Sequence, residues 1–292
     1  MTFKNKILIL GAKGMLGSGI QSVLSQFDNL EVIGTARKLT QKELSEKNLI
    51  LLEDVLNIIE LNSVLKSIRP NVIINCIGII KQKQKNYDYL AMEKINGIFP
   101  SDLAKLALNF GAFLIHFSTD CVFSGTKGSY TELDTPDPTD DYGRTKLLGE
   151  LGYRHTLTLR TSIIGHELGS SNSLLDWFLS QKGPVLGYKN ARFSGLTTIE
   201  IGNFIHELLQ KNISINGLYH LSSESICKYD LLRKVAQIYG KVIEIKPDYE
   251  ISIDRTLNSR KLKSRLNYHT PTWDNMLTSL YQYWLKNENF KK

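Results

Sequence analysis

The segment from Lys6 to Gly17, KILILGAKGMLG, limits what this chain can fold into more than any other stretch. Its short apolar run, Lys6 to Leu10, suits a buried strand better than a helix. Gly11, Gly14 and Gly17 follow in the pattern G-x-x-G-x-x-G, with Met15 and Leu16 inside the same turn, and a helical pattern continues through Ile20, Val23 and Leu24. Glycines between a strand and a helix allow a tight turn and a close backbone approach to a pyrophosphate resting on the helix N-terminus.

The rhythm set there continues. Glu31–Thr35, Leu49–Leu52, Val72–Asn75, Phe113–Ser118 and Thr156–Arg160 read as further apolar strands. Helical spacing separates them: Leu61, Val64, Leu65 and Ile68, then a long stretch from about Tyr89 to Asn109, then a helix starting near Asp140. Mostly apolar strands alternating with helices predict an α/β protein with a doubly wound parallel sheet covered on both faces. After Ile164 the rhythm changes. Helices are expected around Leu174–Ser180, Ile199–Leu209, Lys228–Tyr239 and Trp273–Leu285, a strand at Leu218–Leu221, and a glycine-rich loop at Gly183–Gly195. This predicts a main domain over 1–164, with a returning segment at about 196–222. A smaller C-terminal lobe takes 165–195 and 223–292.

Bulk properties narrow the class. The 292 residues carry 36 Lys and Arg against 29 Asp and Glu, a net charge of +7. That surplus favours an anionic ligand, but it is spread along the chain without a nucleic-acid-binding motif, so no nucleic-acid partner is expected. Ile7 to Leu10 is too short for the core of a secretory signal, and nothing approaches the roughly 20 apolar residues of a membrane span. A cytoplasmic protein without a membrane partner is expected. Cys76, Cys121 and Cys227 are odd in number and far apart. They predict neither a disulfide framework nor a metal site.

Chemistry-bearing residues sit at the ends of the strands. After the second strand stand Thr35, Ala36, Arg37 and Lys38, with no acid. An acid there would take a ribose 2′-hydroxyl, whereas Arg37 offers a planar fork for a 2′-phosphate. NADPH is therefore expected, with NADH as the second choice. Asp54, followed by Val55, is placed to meet the adenine edge or to cap a helix. Asn75, Cys76 and Gly78 end the fourth strand, where a ligand crevice opens. Tyr142 and Lys146 stand at i and i+4, on one face of a helix. A free tyrosine, with a pKa of about 10, is a poor proton donor near neutrality, and a neighbouring ammonium favours the phenolate. Ser118 or Thr119, about 20 residues earlier, would supply a hydroxyl to orient a carbonyl. Together these residues predict a hydroxyl, phenol and ammonium triad.

GAKGMLG, STDCVF (Ser118–Phe123), YGRTK, LRTS (Leu159–Ser162) and RTLNSRKL (Arg255–Leu262) jointly resemble the dTDP-4-dehydrorhamnose reductase family, over nearly the whole chain. The resemblance implies a Rossmann domain with a smaller sugar-nucleotide lobe, an NAD(P)H hydride donor and a 4-keto-6-deoxy sugar nucleotide as substrate. It assigns catalysis to Thr119, Tyr142 and Lys146. Asn172, Lys189, Arg192 and Arg255 are candidates for the sugar or its diphosphate. Cys121 stands where that family often has tyrosine, and GHELGSSNSLLDWF (Gly165–Phe178) departs from its usual link. Three other readings share the motifs: a sugar-nucleotide epimerase, a dehydratase, and a non-catalytic subunit similar to the regulatory subunit of methionine adenosyltransferase. The helices flanking the sheet allow a homodimer.

Overall fold

The structure, a computed structural model, describes residues 5–80, 88–168, 173–211 and 215–287. In chain order the elements begin with β1 (Asn5–Leu10), α1 (Met15–Leu24), β2 (Leu30–Ala36), α2 (Gln41–Leu44), β3 (Leu49–Leu51), α3 (Ile58–Ile68) and β4 (Val72–Asn75). A helical stretch then runs through α4 (Tyr89–Met92), a π turn (Glu93–Ile98) and α5 (Phe99–Asn109), followed by β5 (Phe113–Thr119), α6 (Asp141–Leu148) and β6 (Thr156–Thr161). Next come β7 (Ile163–Ile164), α7 (Leu174–Ser180), β8 (Val185–Phe193), β9 (Leu196–Thr197), α8 (Thr198–Gln210) and β10 (Gly217–His220). The chain ends with β11 (Ile226–Cys227), α9 (Lys228–Ile238), β12 (Ile245–Asp254), α10 (Arg260–Leu266) and α11 (Trp273–Lys286).

Backbone packing divides the chain into two units. The first is Met1–Ser118, Asp140–Leu159 and Ile201–Leu218; the second is Thr119–Thr139, Arg160–Glu200 and Tyr219–Lys292. A seven-stranded sheet in the order β10-β6-β5-β4-β1-β2-β3 dominates the first unit. The pairs β1–β2, β1–β4, β2–β3 and β4–β5 are all parallel. Ile7 to Leu10 of β1 are completely buried. This is what a strand covered on both faces requires. The expected doubly wound sheet is therefore present, and strand order reverses between β2 and β4, on either side of β1. Ligands of such sheets bind at that switch point, beyond the strands' carboxyl ends. The glycine turn after β1 opens there. Leu61, Leu65, Phe99, Leu103 and Leu114 form the adjoining apolar core.

The second unit differs from expectation in one region. Gly183–Gly195 reads as a loop by its glycines, yet Val185–Phe193 is a strand, β8, antiparallel to β11 and parallel to β12. Val185, Gly187, Ala191 and Phe193 are buried, whereas Leu186, Asn190 and Arg192 are exposed. That alternation is the period of a one-sided strand, and polar residues on its open face hide the pattern. Among the described residues no helix is long and apolar enough to cross a membrane.

Candidate functional site

The glycine turn is shaped by close contacts that only glycine permits. Gly11 has φ +80°. A Cβ on Gly17 would stand 2.3 Å from the Gly11 carbonyl oxygen and 2.9 Å from Ala12 Cα, so helix and turn pack backbone to backbone. Gly14, which caps α1, has no side chain to offer the helix. The first-turn amides of α1, from Met15 and Leu16 onward, thus meet no side-chain acceptor from the cap. Orphan amides at a helix start, under the positive end of the helix dipole, favour a phosphate. Lys13 does not add its charge there, because its ammonium lies 2.8 Å from Glu43. That contact is the main cause holding the Glu43 carboxyl down at about 2.

Arg37 lies just beyond β2, exposed and without a hydrogen-bonded or ionic side-chain partner among the described residues. Asp54 does not cap α3. It accepts the Leu56 amide at 2.9 Å, closing a turn, while Asn57 caps the helix. Val55, beside it, is buried. At the end of β4, Asn75 is buried and fully committed: its Oδ1 accepts the Ile77 amide, and its Nδ2 donates to His116 Nδ1 at 3.2 Å. His116 is the neutral tautomer with its proton on Nε2, which has no partner among the described residues. Burial pushes its basicity well down, and the nearby Lys146 charge adds to this. Cys76 follows, its thiol raised by burial. Gly78 is exposed, and a Cβ there would stand 3.3 Å from Asn96 Oδ1.

Helix α6 carries the phenol and ammonium. Asp140 caps it by accepting the Gly143 amide at 2.8 Å. Tyr142 is half-buried in the first turn. Lys146, one turn on, is 6% exposed, and its Nζ donates to the Phe117 carbonyl at 2.7 Å. Burial lowers Lys146 to about 8, while Glu150 and Cys76 act the other way. Glu150 also accepts the Ser118 hydroxyl proton at 2.7 Å. This contact takes up the Ser118 hydroxyl. Asn96, fully buried on the π turn, was not anticipated. It accepts the Ile79 amide at 2.8 Å, donates to the Ile79 carbonyl, and donates to Thr145 Oγ1 at 3.2 Å. It therefore ties the segment after β4 to α6. A π turn is the kind of irregularity that marks functional sites, but no local sequence signal announces it.

In the second unit, Thr119 ends β5. Its hydroxyl accepts the Cys121 amide at 3.1 Å and reaches Asp120 Oδ1 at 3.2 Å. Ser162 donates to Asp120 Oδ2 at 2.8 Å. Arg255 donates from Nε to the Phe123 carbonyl at 2.9 Å, with Nη1 3.8 Å from Cys121 Sγ. Its backbone amide meets the carbonyl of Arg192 at 3.1 Å, and the Arg192 Nε donates to Ser225 Oγ. The structure thus brings Arg192 and Arg255 together. Lys189 is elsewhere: it lies on the opposite face of β8, 3.2 Å from Asp230 and over the Tyr229 ring. Asn172 lies outside the described residues. Lys228 was not anticipated. Its ammonium sits 3.9 Å over the Phe193 ring. Burial lowers its pKa, against the field of Asp120 and Cys121.

Comparison with known proteins gives four further findings. A family model described as RmlD substrate binding domain matches residues 5–284. The methionine adenosyltransferase 2 subunit beta of Rattus norvegicus is 27% identical over 249 residues, covering 80% of this chain and 72% of that protein. The dTDP-4-dehydrorhamnose reductase of Aggregatibacter actinomycetemcomitans is 26% identical over 306 residues, covering 95% of this chain and 99% of that protein. Among solved structures, the dTDP-4-dehydrorhamnose reductase of Bacillus anthracis in complex with NADP superposes with a TM-score of 0.79. It covers 96% of this chain and 98% of that one at 23% identity, a likeness of fold.

Proposed function

Because the chain belongs to the RmlD substrate binding domain family, we propose that it is an NADPH-dependent reductase of a 4-keto-6-deoxy sugar nucleotide. In this reading it works in the cytoplasm, in the making of deoxysugars for surface polysaccharide. NADH is the second reductant. Residues 1–164, with 196–222, hold the dinucleotide; 165–195 and 223–292 take the sugar nucleotide. The reading is supported by the 26% identical reductase that the chain matches from end to end. The observation that carries it is Lys146, an ammonium sunk below the surface and anchored on the Phe117 carbonyl, one turn from Tyr142.

The residues present fit a dinucleotide. The Gly11–Gly17 turn packs backbone to backbone where a Cβ would collide, the amides after Gly14 have no side-chain cap, and Arg37 at the end of β2 has no side-chain partner among the described residues. In the proposal, the turn and the first amides of α1 hold the pyrophosphate, and Arg37 holds the 2′-phosphate. Asp54 and Val55 flank the adenine, and Asn75, Cys76 and Gly78 border the remainder. When bound, the cofactor supplies the hydride. Tyr142 gives its proton to the substrate oxygen as the C–O charge develops. The Lys146 charge favours the phenolate left behind. Thr119 is the hydroxyl we assign to the substrate oxygen, since the Ser118 proton is committed to Glu150 and the Thr119 contacts are longer. Arg192 and Arg255 take the diphosphate.

The test follows NADPH absorbance as the purified chain meets a panel of 4-keto-6-deoxy sugar nucleotides. Oxidation by the wild type is expected, falling by about 10²–10⁴-fold in Tyr142→Phe. NADPH binding without consumption across the panel would overturn the reductase reading. A second reading, a cofactor-binding subunit of a larger assembly, is favoured by the 27% identity to the methionine adenosyltransferase subunit. Under it, Tyr142→Phe leaves binding and assembly unchanged.

A further inference from the structure

The second unit contains a cavity of about 250 Å³, and its lining has an unusual hydrogen-bond balance. Ser194 and Thr256 are each 4% exposed. Ser194 Oγ accepts the Leu257 amide at 2.8 Å, and Thr256 Oγ1 accepts the Ser129 amide at 2.7 Å. Ser225 Oγ accepts Arg192 Nε at 3.0 Å. Each oxygen thus already receives an N–H, while none of the three hydroxyl protons has an acceptor among the described residues. Asn258 repeats the pattern, its Oδ1 taking the Arg260 amide at 3.0 Å and its Nδ2 left over. A hydroxyl offers one proton and an amide two, so each of these groups keeps at least one proton to donate to a ligand.

The charges agree with that balance. Arg260 and Lys263 line the same cavity, and no aspartate or glutamate does. Neither cation makes an ion pair or a side-chain hydrogen bond among the described residues. Burial lowers the pKa of Lys263, opposed by Glu224. A bound cation would meet no carboxylate here and two positive side chains. A ligand made only of acceptors, carrying negative charge, satisfies hydroxyls, amide and cations together.

The geometry points to an oxyanion site of the phosphate class in this cavity, held by Ser194, Ser225, Thr256, Asn258, Arg260 and Lys263. Its inorganic-phosphate form does not rest on the reductase reading; its nucleotide form would add Arg260 and Lys263 to the diphosphate contacts that reading gives Arg192 and Arg255, Arg192 being bonded to Ser225. The phosphate has two sources, free inorganic phosphate or the diphosphate of a nucleotide, which one experiment separates.

The full chain is melted, and titrated calorimetrically, with inorganic phosphate and with thymidine diphosphate, against chloride at matched ionic strength. A saturable stabilisation by inorganic phosphate beyond chloride is expected. Lys263→Gln should weaken it by about tenfold or more, and Lys263→Arg should keep most of it. If thymidine diphosphate binds more tightly than phosphate and loses that advantage in Lys263→Gln, the nucleotide is the source. If it does not, the site takes the free anion. Arg260→Gln, at an exposed position, serves if Lys263→Gln does not fold. No saturable effect, or an effect untouched by both variants, removes the site. None of these readouts needs turnover, so failure of the reductase assay leaves them intact.

Discussion

The two units of the molecule are held by different means. In the first, apolar runs fill a parallel sheet, and Leu8, Leu61, Leu65, Phe99 and Leu114 lie in one buried cluster. In the second, β8 is buried on one face only, and buried polar side chains bridge distant segments. His166 sits between Asp176 at 2.5 Å and the Tyr239 hydroxyl at 2.9 Å. Arg160 reaches His220, which meets the Tyr130 carbonyl at 3.0 Å. Ser222 Oγ donates to the Leu257 carbonyl and lies 2.9 Å from Ser259 Oγ. The first unit should therefore fail by losing volume, and the second by orphaning polar groups. The sharpest way to break this contrast is a pair of leucines. Leu61→Ala, at a fully buried position, should cost about 2–5 kcal/mol in denaturant unfolding. Leu186→Ala, 54% exposed on β8, should cost close to nothing. Equal losses would show that the units do not differ in this way.

Lys146 is a buried ammonium inside the apolar unit, and its cost is measurable. Its folded value of about 8 lies below the ordinary lysine value of 10.5. Between those pH values the unfolded chain binds more protons, so stability rises with pH across that window, and the penalty is complete below about pH 8. At about 1.4 kcal/mol per unit, the buried charge costs roughly 3 kcal/mol. Lys146→Met should therefore raise stability at pH 7 by up to that amount, less the lost bond to the Phe117 carbonyl. It should also flatten the rise between pH 8 and 10.5. Unfolding at pH 7 and pH 10 checks both. A variant less stable at pH 7 would mean that the Phe117 contact outweighs desolvation.

In the second unit the corresponding test is Asp176→Asn. The carboxylate accepts His166, the Glu167 amide and the Ser173 hydroxyl. Loss of one acceptor from a buried ring should cost about 1–3 kcal/mol. A thermal midpoint unchanged from the wild type would show that the network is a consequence of the packing and not a support for it.

What the sequence discloses follows the same division. Strands β1 and β4 are legible because burial on both faces demands unbroken apolar runs. β8 and β12 are not, since one open face admits Lys189, Asn190 and Arg192, and since Pro247 normally argues against a strand. Pro247 is tolerated because β12 is at the edge of its sheet. The pair Tyr142 and Lys146 is legible because helical spacing alone puts them on one face. Asn96, Glu150 and Lys228 are not, because what they do depends on partners far along the chain. Asn96 meets Thr145 across 49 positions, and Glu150 meets Ser118 across 32.

Glu150 offers the smallest and most selective test of how the apolar unit tolerates an ammonium. Its charge opposes the burial that depresses Lys146, and its Oε1 holds the Ser118 hydroxyl. Glu150→Gln removes the charge while leaving an amide oxygen to accept the same proton, so Ser118 keeps its partner. Without the negative field, Lys146 loses its proton at lower pH, because the remaining burial acts unopposed except by Cys76. If the reductase reading holds, turnover that needs the ammonium should keep its rate at acidic pH, and its alkaline limb should move to lower pH. A purely structural role for Glu150 predicts a different result: a rate reduced equally at every pH, with the limb in place. Glu150→Asp, which restores the charge, should return the limb toward its original position even where the shorter side chain releases Ser118. A limb that stays put in Glu150→Gln would place the compensation of Lys146 on the Phe117 carbonyl alone.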